Sequence, residues 1–233
     1  MDAIGTHRTP WSSLHHARDI GGAHLWRTLI TTGCLLSALL VLIFAGSIAA
    51  LDLRIAGELH AHSRPLMTGL MRVISISHGL TGISILSAAL ALYFASHGQR
   101  KWLVLLIIAT PTGMLLNAAL KLAFERVRPH FDDPLVLLYT YSFPSGHVAA
   151  STVFYAIIGG YLATRMRSRP WRAIVAAWSL LMIMLVATSR LYLGAHYLSD
   201  VLGGFVESIA WLALCVAVVD LSLRDSARWT QTQ

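Results

Sequence analysis

Three short clusters between Lys121 and Asp200 hold the side chains of this sequence whose types and spacing could do chemistry. The first runs from Lys121 through six residues to Arg128 and Pro129. The second is Phe143-Pro144-Ser145-Gly146-His147. The third is Ser189-Arg190, then His196 after five residues, then Asp200 after three more. At the named positions they supply three cations, two imidazoles, a glycine-containing turn and one carboxylate. That set suits gripping a phosphate group and passing it through a histidine.

The physical reasons differ by residue. Lys121, Arg128 and Arg190 sit beside apolar runs, where a cation is costly and needs a reason to be there. A guanidinium fork matches phosphate oxygens and an ammonium adds a point charge. Snorkelling to the interface is the plainer role for any single one of them. Ser145-Gly146-His147 opens a helix after Pro144. Backbone N–H groups at a helix start form an anion site, and glycine lets the backbone come close. An ordinary helix start would also use serine and proline there. His196 and Asp200 are four apart, so on a helix they share a face. A carboxylate on one ring nitrogen fixes the tautomer and leaves the other free to attack. His78 and His130 have no such partner in sequence and read as structural. Asp132 and Asp133 read as solvated loop residues rather than metal ligands. Tyr139, Tyr141 and Tyr192 read as an aromatic belt at the membrane interface.

These clusters match, without a departure, the three-part signature K-x6-R-P, P-S-G-H and S-R-x5-H-x3-D. In this the chain resembles the type 2 phosphatidic acid phosphatase family, which shares its site with the vanadium haloperoxidases. The resemblance covers roughly the middle third of the chain. It implies that His196 is a nucleophile forming a phosphohistidine and that Asp200 orients it. It implies that His147 is the general acid for the leaving group, and then assists the water that attacks the intermediate. It places Lys121, Arg128, Arg190, Ser145, Gly146 and Ser189 around the phosphate, with local capping the other role open to Ser189. The cations would take the part that magnesium plays in other phosphoryl transfers, so no metal or other cofactor is expected.

Composition points to the scaffold that positions these residues. The chain has 233 residues, 56% hydrophobic and 12% charged, more apolar and far less charged than a soluble domain. Long apolar runs mark an integral membrane protein. The net charge of +7 follows arginines at the ends of those runs, so it reads as a positive-inside bias and not as nucleic-acid binding. Cys34 and Cys215 lie inside apolar runs and read as small buried hydrophobes.

Six spans are predicted, near residues 28–51, 81–96, 102–124, 146–164, 173–188 and 201–221, with a kink possible at Pro111. Residues 66–74 carry apolar side chains at helical spacing. They read either as an amphipathic interfacial helix or as a packed lead-in to the second span. Residues 1–26 form a His- and Arg-rich cytosolic arm, 27–223 the membrane domain and 224–233 a short polar tail. The basic turns around Arg100 and from Arg165 to Arg172 fall on one side of this all-α, polytopic arrangement. The positive-inside rule makes that side cytoplasmic, together with both termini. All three clusters then face the periplasm or the exterior of a cytoplasmic membrane.

The expectation is therefore a membrane lipid phosphatase, working on a phosphomonoester or diphosphate such as undecaprenyl diphosphate, phosphatidylglycerol phosphate or phosphatidate. A lipid A phosphatase or a phosphotransferase would use the same residues. A vanadium haloperoxidase or a non-catalytic transporter fits less well, the first because of the six spans and the second because the signature is intact. Lipid would reach the site sideways from the bilayer, past the 66–74 segment and residues 135–138.

Overall fold

A computed structural model describes Thr31 and residues 48–229, with only the backbone course for Leu221 and residues 223–229. The expected arm, most of the first expected span, Cys34 and the last four residues lie outside the described residues. Among the described residues from Ala49 on, seven helices follow in order: α1 (Ala49–Ala61), α2 (Pro65–Ser77), α3 (Leu80–Ser96), α4 (Arg100–Phe124), α5 (Gly146–Arg165), α6 (Arg169–Tyr192) and α7 (Leu198–Trp229). No strand occurs among the described residues.

Four of these helices are long and apolar enough to cross a bilayer: α4, α5, α6 and the Leu198–Asp220 part of α7. They begin and end within a few residues of the apolar runs read from sequence. The second expected span is different. Helix α3 has 17 residues, about 26 Å at 1.5 Å per residue, and it meets α2 at a bend of 54°. The two helices together make one broken span or a re-entrant segment. Two features accompany the break. Gly79 adopts an extended conformation ahead of α3. The His78 ring turns back instead of outward, with Nδ1 2.9 Å from the Ile74 carbonyl and Nε2 2.7 Å from the Tyr155 hydroxyl.

Helix α2, which spans residues 66–74, has features of both readings: it packs on α6 and leads into α3, and it keeps an apolar outer face. Its small polar residues Thr68 and Ser75, with Met71, are buried against the protein, whereas Leu66, Leu70, Val73 and Ile76 are exposed. That is the inverted pattern of a helix whose outer solvent is lipid.

Helix α5 lies at the centre, packed on α4, α6 and α7. It is the least apolar of the four long helices and the most enclosed. Small residues let its neighbours come close, the usual means of helix association in membranes. Its inner face joins Val153, Phe154, Ile157 and Tyr161 to Phe94, Leu105, Leu106, Cys215 and Val219 in the main core. Helix α4 runs through Pro111 as one element, and the Thr112 hydroxyl donates to the Ile108 carbonyl. The helix stops at Glu125, the one non-glycine residue with a left-handed backbone among those described (φ 47°).

Beyond that stop the chain is extended. It is pinned where the Ser142 N–H donates to the Arg126 carbonyl at 2.8 Å. Leu135 and Val136 pack on Met71, Ile74, Tyr192 and Leu193. The loop therefore closes the same end of the bundle where α5 and α7 begin and α6 ends.

Candidate active site

The site assembles at that end because three helix termini and one loop converge there. At the end of α6, the Ala195 N–H donates to the Arg190 carbonyl at 3.0 Å. Gly194 follows with φ +65°, the left-handed turn that commonly closes a helix with glycine. A Cβ at this position would meet the Phe131 ring at 2.8 Å. The turn carries His196 inward until it is 2% exposed.

Around His196 the structure brings together most of the residues singled out from sequence. Its Nε2 lies 3.2 Å from Nη1 of Arg128. Its Nδ1 lies 3.5 Å from Oδ2 of Asp200, longer than a good hydrogen bond. Burial pushes the His196 imidazole well below its ordinary pKa, and the charges of Arg190, Arg128 and Lys121 push it the same way. The ring is thus neutral near pH 7, with a lone pair available for attack.

The three cations are not equally committed. Arg128 donates to the carbonyls of Thr140 (2.6 Å), Ala195 (2.5 Å) and Tyr141 (3.0 Å) and to the Thr140 hydroxyl (2.9 Å). Burial lowers its pKa, though a guanidinium remains charged. Lys121 holds the loop through the carbonyls of Tyr141 (2.8 Å) and Ser142 (3.2 Å). Arg190 is buried, and its Nη1 donates to the Ser75 hydroxyl. Its Nε and Nη2 find no hydrogen-bond partner among the described residues. Buried guanidinium donors without partners are costly, and an anion would satisfy them.

The start of α5 departs from the expected set of free N–H groups in one respect. The Ser145 N–H is already used, donating to the Asp200 carbonyl at 2.9 Å. First-turn donors from Gly146 onward remain the candidates for an anion. The Ser145 hydroxyl is buried without a partner. A Cβ on Gly146 would stand 2.9 Å from Asn117 Oδ1, so a larger residue there would displace the Asn117 amide. His147 lies on the first turn of α5, and a Cβ on Gly79 would come within 3.4 Å of its Nε2. Ser189 is fully buried, and its hydroxyl donates to the Val186 carbonyl at 2.7 Å, the local role.

A cavity of about 300 Å³ opens beside these groups. His147, Lys121, Asn117 and Glu207 supply its polar lining, and Leu80, Ile83, Met114, Val153 and Trp211 its apolar lining. Its α4 residues run from Thr110 to Lys121, roughly 16 Å along the helix axis. Residues 66–74 and 135–138, the expected route for lipid, do not line it. Leu135 and Val136 pack in one cluster with Met71 and Ile74 instead, and Gly79 and Leu80 at the bend line the cavity.

Sequence reasoning passed over four residues here. Arg126 donates from Nη1 to Asp200 Oδ1 at 2.6 Å and from Nη2 to Asp52 Oδ2 at 2.8 Å. Asn117 donates to the buried Glu207 at 2.9 Å. Three of them carried a signal. Arg126 is two residues from Arg128, the same side of an extended chain. Asn117 is one helical turn before Lys121, and Glu207 two turns after Asp200. Asp52 carried none. Asp133 accepts from His60 Nε2 at 2.8 Å, so it is a partnered loop residue. Among the described residues no group of three or more His, Cys, Asp or Glu side chains could hold a metal ion.

A family model described as the PAP2 superfamily matches residues 100–224, the stretch that contains every cluster above. The chain belongs to that superfamily. Phosphatidylglycerophosphatase B of Bacillus subtilis (strain 168) is 35% identical over 145 residues, 60% of this chain and 67% of the relative. The crystal structure of a transmembrane PAP2 type phosphatidylglycerolphosphate phosphatase from Bacillus subtilis superposes with a TM-score of 0.69 at 26% identity. That match covers 84% of this chain and 96% of the other. Aquifex aeolicus LpxE gives a TM-score of 0.56 at 21% identity over 72% and 94% of the two chains, a likeness of fold alone. The chain is thus an all-helical PAP2-type membrane phosphatase.

Proposed function

We propose that this PAP2-type enzyme hydrolyses a phosphomonoester or diphosphate of a membrane lipid through a phosphohistidine on His196. The observation that carries the reading is the buried imidazole of His196, with Nε2 against Arg128 and Nδ1 toward Asp200. The Nε2 lone pair forms the N–P bond as the P–O bond to the lipid breaks. His147 gives its proton to the departing oxygen. Water then attacks phosphorus, its proton goes to His147, and the N–P bond breaks to restore His196. Lys121, Arg128, Arg190 and the first-turn N–H groups of α5 stabilise charge on the phosphoryl oxygens, with Ser145, Gly146 and Ser189 packed around them.

The substrate class rests on the relatives and on the cavity. A phosphatidylglycerophosphatase 35% identical to this chain makes phosphatidylglycerol phosphate the first candidate. Undecaprenyl diphosphate and phosphatidate stand beside it. The apolar lining from Leu80 to Trp211 suits a lipid tail next to the phosphate site. The basic turns at Arg100 and Arg165–Arg172 favour, by the positive-inside rule, a site at the periplasmic or exterior face of a cytoplasmic membrane.

The test is phosphate release by purified protein in detergent with EDTA present. The three lipids are offered in parallel, with His196→Ala as control. Turnover of at least one, lost in the variant, is expected. Undiminished turnover by His196→Ala, or none by the folded wild-type protein, would overturn the reading.

A further inference from the structure

We propose that Asp52 and Arg126 are positioning residues for phosphoryl transfer, acting on His196 through Asp200. The inference rests on the reading of His196 as nucleophile and Asp200 as its orienting carboxylate. Asp52 comes from α1, outside the stretch that the superfamily model matches. It is 1% exposed and Asp200 is 0% exposed, and buried carboxylates are costly unless paired.

The contacts form one connected set. Arg126 bridges the two acids, at 2.6 Å to Asp200 Oδ1 and 2.8 Å to Asp52 Oδ2. Its Nη1 also donates to the Ser199 hydroxyl at 2.7 Å. That hydroxyl donates in turn to Asp52 Oδ2, and the Ser199 N–H donates to Asp52 Oδ1 at 3.0 Å. The guanidinium lies over the Tyr197 ring, 4.7 Å from its centroid. The Tyr197 N–H donates to Asp200 Oδ2 at 2.9 Å. Asp52 thus fastens the start of α7, and Arg126 occupies Oδ1 of Asp200. The carboxylate can turn neither oxygen away, and Oδ2 stays toward His196 Nδ1.

Charge gives the second half of the argument. When Nε2 of His196 bonds to phosphorus, the ring keeps its Nδ1 proton and becomes positive. Three cations already crowd this region, so the new charge needs a counter-charge. Arg126 alone would cancel Asp200. With Asp52 included, the buried group keeps one net negative charge, and it faces the ring through Asp200. Such a buried ionic set is weak evidence for stability, but it suits a preorganised field.

The experiment is a double-mutant cycle on the full chain in detergent, using whichever lipid of the panel turns over fastest. Asp52→Asn keeps the shape and the acceptor for the Ser199 N–H. It should lower kcat on the order of 10- to 100-fold with KM little changed. In an Asp200→Asn background the same change should cost less than about threefold, because its effect runs through Asp200. Arg126→Lys, which reaches only one acid, should repeat the pattern. Equal losses in both backgrounds, an effect on KM alone, or no loss would overturn the proposal. So would loss of the melting transition in both Asp52→Asn and Arg126→Lys, which would make the network purely structural. His196→Ala separates the two ideas. If it stays active, the nucleophile reading fails. If it is dead while Asp200→Asn behaves as wild type, only the role of Asp52 and Arg126 fails.

Discussion

Nη1 of Arg128 lies 3.2 Å from Nε2 of His196, so a guanidinium rests on the nitrogen that would attack phosphorus. The same guanidinium ties Thr140, Tyr141 and Ala195 together. Arg128 therefore fastens the loop after α4 and also faces the reacting atom. A phosphate bound there would exchange some of these carbonyl contacts for its own oxygens. On the proposed reading, its charge would be shared between holding the fold and holding the ligand.

Arg128→Lys tests that double duty. An ammonium cannot span the Thr140 and Ala195 carbonyls and a phosphate at once. We expect kcat/KM to fall about 100- to 1000-fold, with a stability loss of about 1–3 kcal/mol from unsatisfied loop carbonyls. Activity assays and thermal melting on the same sample check both. Normal activity with a lower Tm would leave Arg128 as a fastener only.

Arg190 is the cation with donors to spare. Arg190→Ala should reduce kcat on the order of 100- to 1000-fold and weaken inhibition by vanadate, which mimics the pentacoordinate phosphorus. Ser75→Ala removes only the contact to Nη1 and should keep kcat within about threefold, the loss of one positioning hydrogen bond. Vanadate titration of both variants decides. If Ser75→Ala were as damaging as Arg190→Ala, helix α2 and not the phosphate would be the main partner of this arginine.

Much of the scaffold was legible because a bilayer reads local composition. The runs that became α4, α5, α6 and α7 announce themselves within each segment, whatever they pack against. The three clusters were equally local. The break at His78 and Gly79 was not, since it depends on a ring reaching Tyr155, 77 residues away. Asp52 and Arg126 are 74 residues apart, and a pairing of that range leaves no period in the sequence. Thr68 and Ser75 are buried on the packed face of α2, a placement that the apolar spacing of residues 66–74 did not specify.

Burial gives His196 a pH signature in stability. Its native pKa is held well below the ordinary value, first by burial and then by the cations. The unfolded chain binds the proton near pH 6.5 while the native site does not. Unfolding then takes up a proton, so stability falls as pH drops below about 6.5 and is regained above it. His196→Gln removes this contribution. Its Tm should fall less steeply than that of the wild type between about pH 7 and pH 5. Parallel curves would mean that the imidazole takes up its proton normally in the folded protein.

His147 can be tested through the leaving group. A lipid monoester departs as an alkoxide, a poor leaving group that needs a proton as the bond breaks. A lipid diphosphate departs as a phosphate ester, which carries the charge without much help. If His147 is chiefly the acid, His147→Ala should slow phosphatidate hydrolysis about 100- to 10,000-fold, the usual span for general acid catalysis. Undecaprenyl diphosphate hydrolysis should suffer far less, while His196→Ala abolishes both. Filling the space beside the ring makes a second approach. A Cβ at Gly79 would make ordinary contact with Nε2 at 3.4 Å, so the two further methyls of Gly79→Val should displace the imidazole and favour the diphosphate in the same way. Steady-state kinetics on the two substrates check the ratio. An equal loss on both would assign His147 to holding the phosphate or activating water, steps that the two substrates share.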